Sequence, residues 1–420
     1  MTEAAAALKA PRQRSFAALR HSGFRPYLIG NALVMMADSV EHVISYWLLY
    51  QKFHSPALGG FAVISHWVPF LVFGVWVGAL SDRFDPRRII QIGMVLFMLC
   101  SLGWAVLFYL GWLAEWHAVA ILTVHGIAAL LWNPASQVLI HDIVGPDDLP
   151  SAVRLMATSR YLGLFAGPAV GGVILLVLGP SHGLVVNSLI YLPLTLWLIK
   201  APFGPRFRRE KIAPARIRGI GDLVATLRVV ASVRVLSAMT ALGGAYAFFI
   251  GNAYQAQMPG YARDFGHGDP GLLYSLLLGA DASGAILAGF VLEASGWLVP
   301  RANTAFVLAM LWCCAIFGFA LAPAYPMAIA CLFAAGFLEL SFNSMAMSLV
   351  QLNAPNEMRG RVIGFFSMSA IGLRAFSGAT VGLGGSLLGA HRSLASAAFM
   401  LLLVIAGLAW SMRARNFSAP

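Results

Sequence analysis

Four side chains of this 420-residue chain recur at helical spacing within an otherwise apolar stretch: Asp38, Glu41, His42 and Ser45. Offsets of three, four and seven residues place them on one face of a helix. Two carboxylates one turn apart repel, so one of them is expected to hold a proton near neutral pH, with an imidazole beside them. Such a set suits reversible proton binding. Burial raises a carboxylate's hold on a proton and a nearby cation or water lowers it, so a change of surroundings can switch it. Asp38 is the leading proton carrier by this reading and Glu41 the next. The competing account is a structural ion pair with Arg160 or Arg374. Asp281, Glu339 and Arg374 also lie deep inside apolar stretches, and Arg160 lies nearer one end. Arg374 is expected to take an acidic partner, Asp281 or Glu339. His66 and His125 stand alone on helix faces and read as packing or plain hydrogen-bonding histidines.

Charged residues make up 11% of the chain and hydrophobic ones 59%. A soluble domain is nearer 25% charged, so a membrane protein is expected. Crossing a bilayer core takes about 20 apolar residues of helix. Stretches of that size fall near 27–51, 57–81, 88–113, 117–141, 153–179 and 183–200, then near 235–261, 271–294, 302–323, 325–350, 361–389 and 393–411. The expected fold is therefore an all-α membrane protein of twelve transmembrane helices in two pseudo-symmetric six-helix bundles. The domains are an N-tail (1–26), an N-terminal bundle (27–200), a connector (201–234), a C-terminal bundle (235–411) and a C-tail (412–420). The connector is rich in Arg and Pro, with a short amphipathic helix expected near 220–230.

With both termini on one side, that side holds 23 of the 28 lysines and arginines; three fall opposite and two within helices. The bias places both termini in the cytoplasm. It also accounts for the net charge of +11 without nucleic acid as a partner. Cys100, Cys313, Cys314 and Cys331 all sit in apolar runs without ligand spacing, so no disulfide or metal is expected. No nucleotide-binding loop and no protease or esterase motif stands out, which argues against an enzyme or a bound cofactor.

The two halves echo each other. GPDDLPSAV (145–153) separates the fourth and fifth stretches, and APNEMRGRV (354–362) the tenth and eleventh. Asn133 and Asn343 lie just upstream at near-equivalent points. GALSD (78–82) is matched by GFVLE (289–293). Parallel repeats of this kind mark transporters whose substrate site lies between the halves. Polar and aromatic candidates for that path are Asn133, Asn252, Gln255, Asn343, Tyr46, Trp132 and Tyr254.

GALSDRFDPRR (78–88) resembles the turn after the second helix in the major facilitator superfamily, through Gly78, Leu80, Asp82, Arg83, Arg87 and Arg88. Asp85 and Pro86 depart from that pattern. LWNPASQVL (131–139), GPDDL (145–149) and RGRV (359–362) are similar to the bacterial branch of macrolide and enterobactin exporters. GLFAGPAVGG (163–172) looks like the family's fifth-helix motif at Gly163, Gly167, Pro168, Gly171 and Gly172. The resemblance implies exchange of substrate for protons there; a close helix contact made by small residues, with a proline kink, accounts for the same run.

The charged turn at 78–88 then acquires a role. The Asp82 carboxylate can sit against a helix N-terminus, where free N–H groups favour an anion. The resemblance implies that this is the eleventh helix, near Arg361. Such a contact would latch the halves together when the inner side is closed. Glu293 would make the matching contact near Ser151. Arg83, Arg87 and Arg88 either bridge to neighbouring acids or only hold the turn inside. The expected function is a secondary active transporter exporting a small amphipathic molecule, of drug or siderophore type, in exchange for protons. It would work as a monomer in the bacterial inner membrane. The alternatives are an importer or lipid flippase of the same fold, or, from another class, a membrane enzyme or receptor.

Overall fold

The computed structural model describes residues 15–53, 56–207, 219–251, 253–256, 258, 261, 264–265, 270–295, 299–377 and 388–414, and among these the secondary structure is helical throughout. The first helices are α1 (Phe24–Phe53), α2 (Pro56–Arg83) and α3 (Pro86–Tyr109). Asp85 caps α3, accepting the Arg87 N–H at 3.1 Å, and Pro86 occupies its first turn. These two residues depart from the family turn and start a helix well.

The run Glu115–Lys200 is 86 residues long, far more than one crossing needs. It is divided at Gly145 and Gly179, both with φ of +73°. Each is followed by a proline, so glycine ends one helix in a conformation other residues avoid and proline opens the next. The result is α4 (115–144), α5 (146–178) and α6, formed by 180–190 and Leu192–Lys200.

The amphipathic helix expected in the connector runs Ile220–Ser232 and meets α7 (Arg234–Phe249) at 109°. α7 is shorter than expected: the chain breaks at Gly251 (φ +47°) and resumes as a turn, Ala253–Ala256. Next come α8 (Pro270–Ser295), α9 (Ala302–Ala320) and α10 (Tyr325–Asn353). α11 starts as Arg359–Ser367, widens into a π turn over Met368–Gly372 and continues as Arg374–Ser377. α12 is Ala390–Ala414.

Each half has its own core. One cluster of buried apolar residues is drawn from Val230 to Ile405, and two others from Ala18 to Leu198. A small fourth cluster joins Ala285, Ala288, Leu292 and Leu340 to Ala157 and Tyr161 across the halves. The outer surface is apolar as well. Leu176 is 86% exposed and Trp410 77%, which suits a surface facing lipid.

Candidate transport site

At the end of the bundle that carries the basic loops, Asp82 closes α2 against the start of α11. Its carboxylate is 4% exposed. It accepts the N–H of Gly360 at 2.5 Å and of Arg361 at 3.0 Å. The Arg361 Nε stands 3.7 Å from Asp82 and 3.5 Å from Asp222 of the connector helix. Asp222, missed in the sequence, is buried at this junction. The two helices meet backbone to backbone, with Gly78 on Gly360, Gly74 on Gly364 and Gly372 on Leu71. A Cβ added to Gly372 would lie 2.6 Å from the Leu71 Cα.

The second half repeats the arrangement. Glu293, near the end of α8, accepts the Ser151 hydroxyl and the Arg154 Nε–H, the latter at 2.8 Å. Gly289 lies against Thr158. The arginines of the turn make contacts nearer home. Arg83 lies 5.4 Å from the Phe84 ring, Arg87 pairs with Asp85 at 2.6 Å and donates to the Ala201 carbonyl, and Arg88 donates to Gln91 at 2.9 Å.

Midway along the C-terminal half, two buried carboxylates share one phenol. The Tyr254 hydroxyl lies 3.2 Å from Asp281 Oδ2 and 3.3 Å from Glu339 Oε2. Gln255 donates to Asp281 at 3.1 Å, and Tyr246 donates to Glu339 at 2.5 Å. The break after α7 turns Tyr254 and Gln255 toward Asp281. Asp281 Oδ1 has no hydrogen-bond partner among the described residues. One hydroxyl hydrogen serves one carboxylate at a time. The second acid satisfies the same oxygen only by bringing a proton of its own.

Arg374 does not take the acidic partner expected for it; among the described residues it makes no ion pair. Its guanidinium sits 5.5 Å from the Trp67 ring of α2 and 5.5 Å from the Tyr246 ring of α7. The π turn just before it sets this position. Arg374 therefore spans the halves, and Tyr246 links it to Glu339. Arg160 is half-buried on α5, within electrostatic range of Arg374 and Glu339.

His125, read from the sequence as a lone packing or hydrogen-bonding residue, joins the first-helix cluster by hydrogen bonds. His125 of α4 places Nδ1 2.9 Å from Glu41 and Nε2 2.9 Å from Asp38. Neutral imidazole offers one donor and one acceptor, and carboxylates only accept. The trio is satisfied only with one proton more than neutral histidine and two carboxylates hold. His42 Nδ1 meets the Asp38 carbonyl at 2.7 Å, and Tyr46 packs edge-on to His42 at 5.3 Å. Ser101 donates to Glu41, and Asn187 donates to Ser101 at 3.1 Å.

The fifth-helix glycines bring α5 onto α1. Gly163 lies on Met35 and Gly167 on Ser39, and a Cβ added to Gly171 would lie 3.2 Å from the Val40 Cα. A Cβ added to Gly172 would meet nothing within 4 Å beyond its own helix, and Pro168 is exposed. Trp132 Nε1 and Asn133 Oδ1 are buried without hydrogen bonds among the described residues, and Asn343 is half-buried on α10. Asn252 lies outside the described residues.

Comparison with known proteins agrees with this architecture. The human organic anion transporter MFSD10 superposes with a TM-score of 0.74 at 15% identity, covering 95% of this chain and all of that one. The enterobactin exporter EntS of Shigella boydii serotype 4 is 22% identical over 91% of this chain and 90% of its own length. Macrolide efflux protein A of Streptococcus pyogenes is 23% identical over 64% of this chain and 65% of its own. The chain spans under half, 45%, of the staphyloferrin A transporter of Staphylococcus aureus, at 25% identity. The family described as transmembrane secretion effector matches residues 13–419, and with this helical architecture the chain belongs to that family of major facilitator superfamily transporters.

Proposed function

We propose that the protein is a monomeric proton-coupled exporter of the bacterial inner membrane, with both termini in the cytoplasm. It moves a small amphipathic molecule outward by rocking residues 27–200 against 235–411, with 201–234 as the tether and 1–26 and 412–420 as tails. The exporters of enterobactin and macrolides among its relatives support the direction. The observation that carries proton coupling is the pair Asp281 and Glu339, buried on one tyrosine hydroxyl. Two carboxylates so placed hold a proton or a positive group, and not both at once. Mutual exclusion of that kind is the elementary condition for exchange. It favours cationic or zwitterionic cargo. Through Tyr246, a change of charge on Glu339 reaches Arg374 and so the contact between the halves.

The test is proton flux in liposomes. Purified protein under an imposed pH gradient receives a panel of dyes, antibiotics and siderophores while lumenal pH is followed. Wild type should show substrate-dependent flux; Asp281→Asn and Glu339→Gln should lose it and still bind substrate. Equal flux in all three would move coupling to Asp38 and Glu41, and Asp38→Asn would then abolish it. Passage of labelled substrate without any proton movement would overturn the exchange reading.

A further inference from the structure

Four side chains from three helices converge in the N-terminal half: Asp38 and His42 of α1, His66 of α2 and His125 of α4. One ring nitrogen from each histidine lies within 4.8 Å of the others. The ring centroids are 4.9 Å apart for His42 and His125, 5.3 Å for His42 and His66, and 5.8 Å for His66 and His125.

The surroundings of these rings are those of metal ligands. A ligating imidazole is held by a hydrogen bond from its other nitrogen to a carbonyl or carboxylate. His42 Nδ1 has the Asp38 carbonyl at 2.7 Å, which leaves Nε2 for an ion. His125 Nδ1 has Glu41 at 2.9 Å, and Glu41 is held in turn by Ser101 and Ser101 by Asn187. His125 Nε2 then faces Asp38 Oδ1, the one oxygen ligand of the group. His66 Nδ1 is sealed from solvent and has no hydrogen-bond partner among the described residues.

We propose that His42, His66, His125 and Asp38 form a binding site for a divalent transition-metal ion. Imidazole donors suit Zn²⁺, Co²⁺ or Ni²⁺ rather than Mg²⁺ or Ca²⁺. A tetrahedral ion with bonds of about 2.0 Å to nitrogen sets its ligand atoms roughly 3.3 Å apart, so the rings close in by no more than about 1.5 Å on binding. The charges balance: two positive charges meet the carboxylates of Asp38 and Glu41, which a membrane interior requires of any buried ion. The side chains of His42 and Asp38 are 23% and 15% exposed, so the cluster is not fully enclosed.

The experiment uses the full chain without an affinity tag, stripped of metals in detergent and titrated with Co²⁺. The expected result is one equivalent bound, with the intense visible absorption of a four-coordinate nitrogen–oxygen site. Zn²⁺ should displace it and Mg²⁺ should not. His66→Gln and His42→Gln, each checked for unchanged helicity and a single elution peak, should weaken binding at least tenfold. X-ray absorption of the Zn²⁺-loaded wild type should show the outer-shell scattering of three imidazoles, a result independent of any variant. Absence of the Co²⁺ bands, bands unchanged in the His42→Gln/His66→Gln double variant, or fewer than two imidazoles would overturn the proposal.

Discussion

Asp82→Asn tests whether the α2–α11 contact sets the balance between conformations. The native carboxylate accepts two backbone N–H groups, at 2.5 and 3.0 Å, at the positive end of a helix. Hydrogen bonds to a charged group contribute about 1.5–3 kcal/mol each, and the helix terminus adds about 0.3–1 kcal/mol for an anion. The amide oxygen of Asn keeps one acceptor without the charge, so the net loss is about 2 kcal/mol. In the proposed rocking mechanism, that weakens the closed form of this end about 30-fold relative to an open one. Asp82→Ala removes both acceptors and should shift the balance further. Spin labels at the exposed positions Arg88 and Glu357, in a background lacking the four native cysteines, report the gap between the halves at this end. A longer-distance population should grow in the order wild type, Asn, Ala. Identical distance distributions for all three would refute the argument that Asp82 holds this end shut.

Other expectations follow from the same contacts. Arg154→Met leaves Glu293 buried beside Ser151 alone and should cost about 3–5 kcal/mol, lowering the melting temperature in detergent, while Arg154→Met/Glu293→Gln should recover most of it. Gly167→Val drives a side chain into Ser39 and should cost at least about 1–3 kcal/mol, seen as aggregation on size exclusion, whereas Gly172→Val meets open space and should elute as wild type. Asp222→Asn weakens the hold of Arg361 on the connector helix. Amide exchange over 220–232 should then quicken about tenfold, for a loss of about 1.4 kcal/mol, with α2 and α11 unchanged.

The fold was legible because a bilayer imposes length on a sequence directly. Apolar stretches carry that information residue by residue, and Asp82 and Glu293 lie at stretch ends where only a helix terminus or loop is within reach. The sites were less legible because their members meet across helices. Nothing local marks His125 as the partner of Asp38, 87 positions earlier, or Trp67 as a seat for Arg374. Those meetings depend on the rotation of each helix about its axis, which packing sets. Local breaks hid more. The π turn before Arg374 and the bend at Gly251 each re-aim a side chain, and a helical count that assumes 3.6 residues per turn misplaces both.

In the proposed rocking mechanism, the glycine seam between α2 and α11 bears on how easily the two halves part. Gly74, Gly78, Gly360, Gly364 and Gly372 press backbone on backbone, so closing freezes few rotamers and opening frees few. A seam of interdigitated leucines would have to unlock and reseat at every turnover, with a barrier to match. This one works more like two polished plates held by a clip. The plates contribute little friction and no memory of where they last stood. The clip, a carboxylate on two amides, is the part that chemistry can undo.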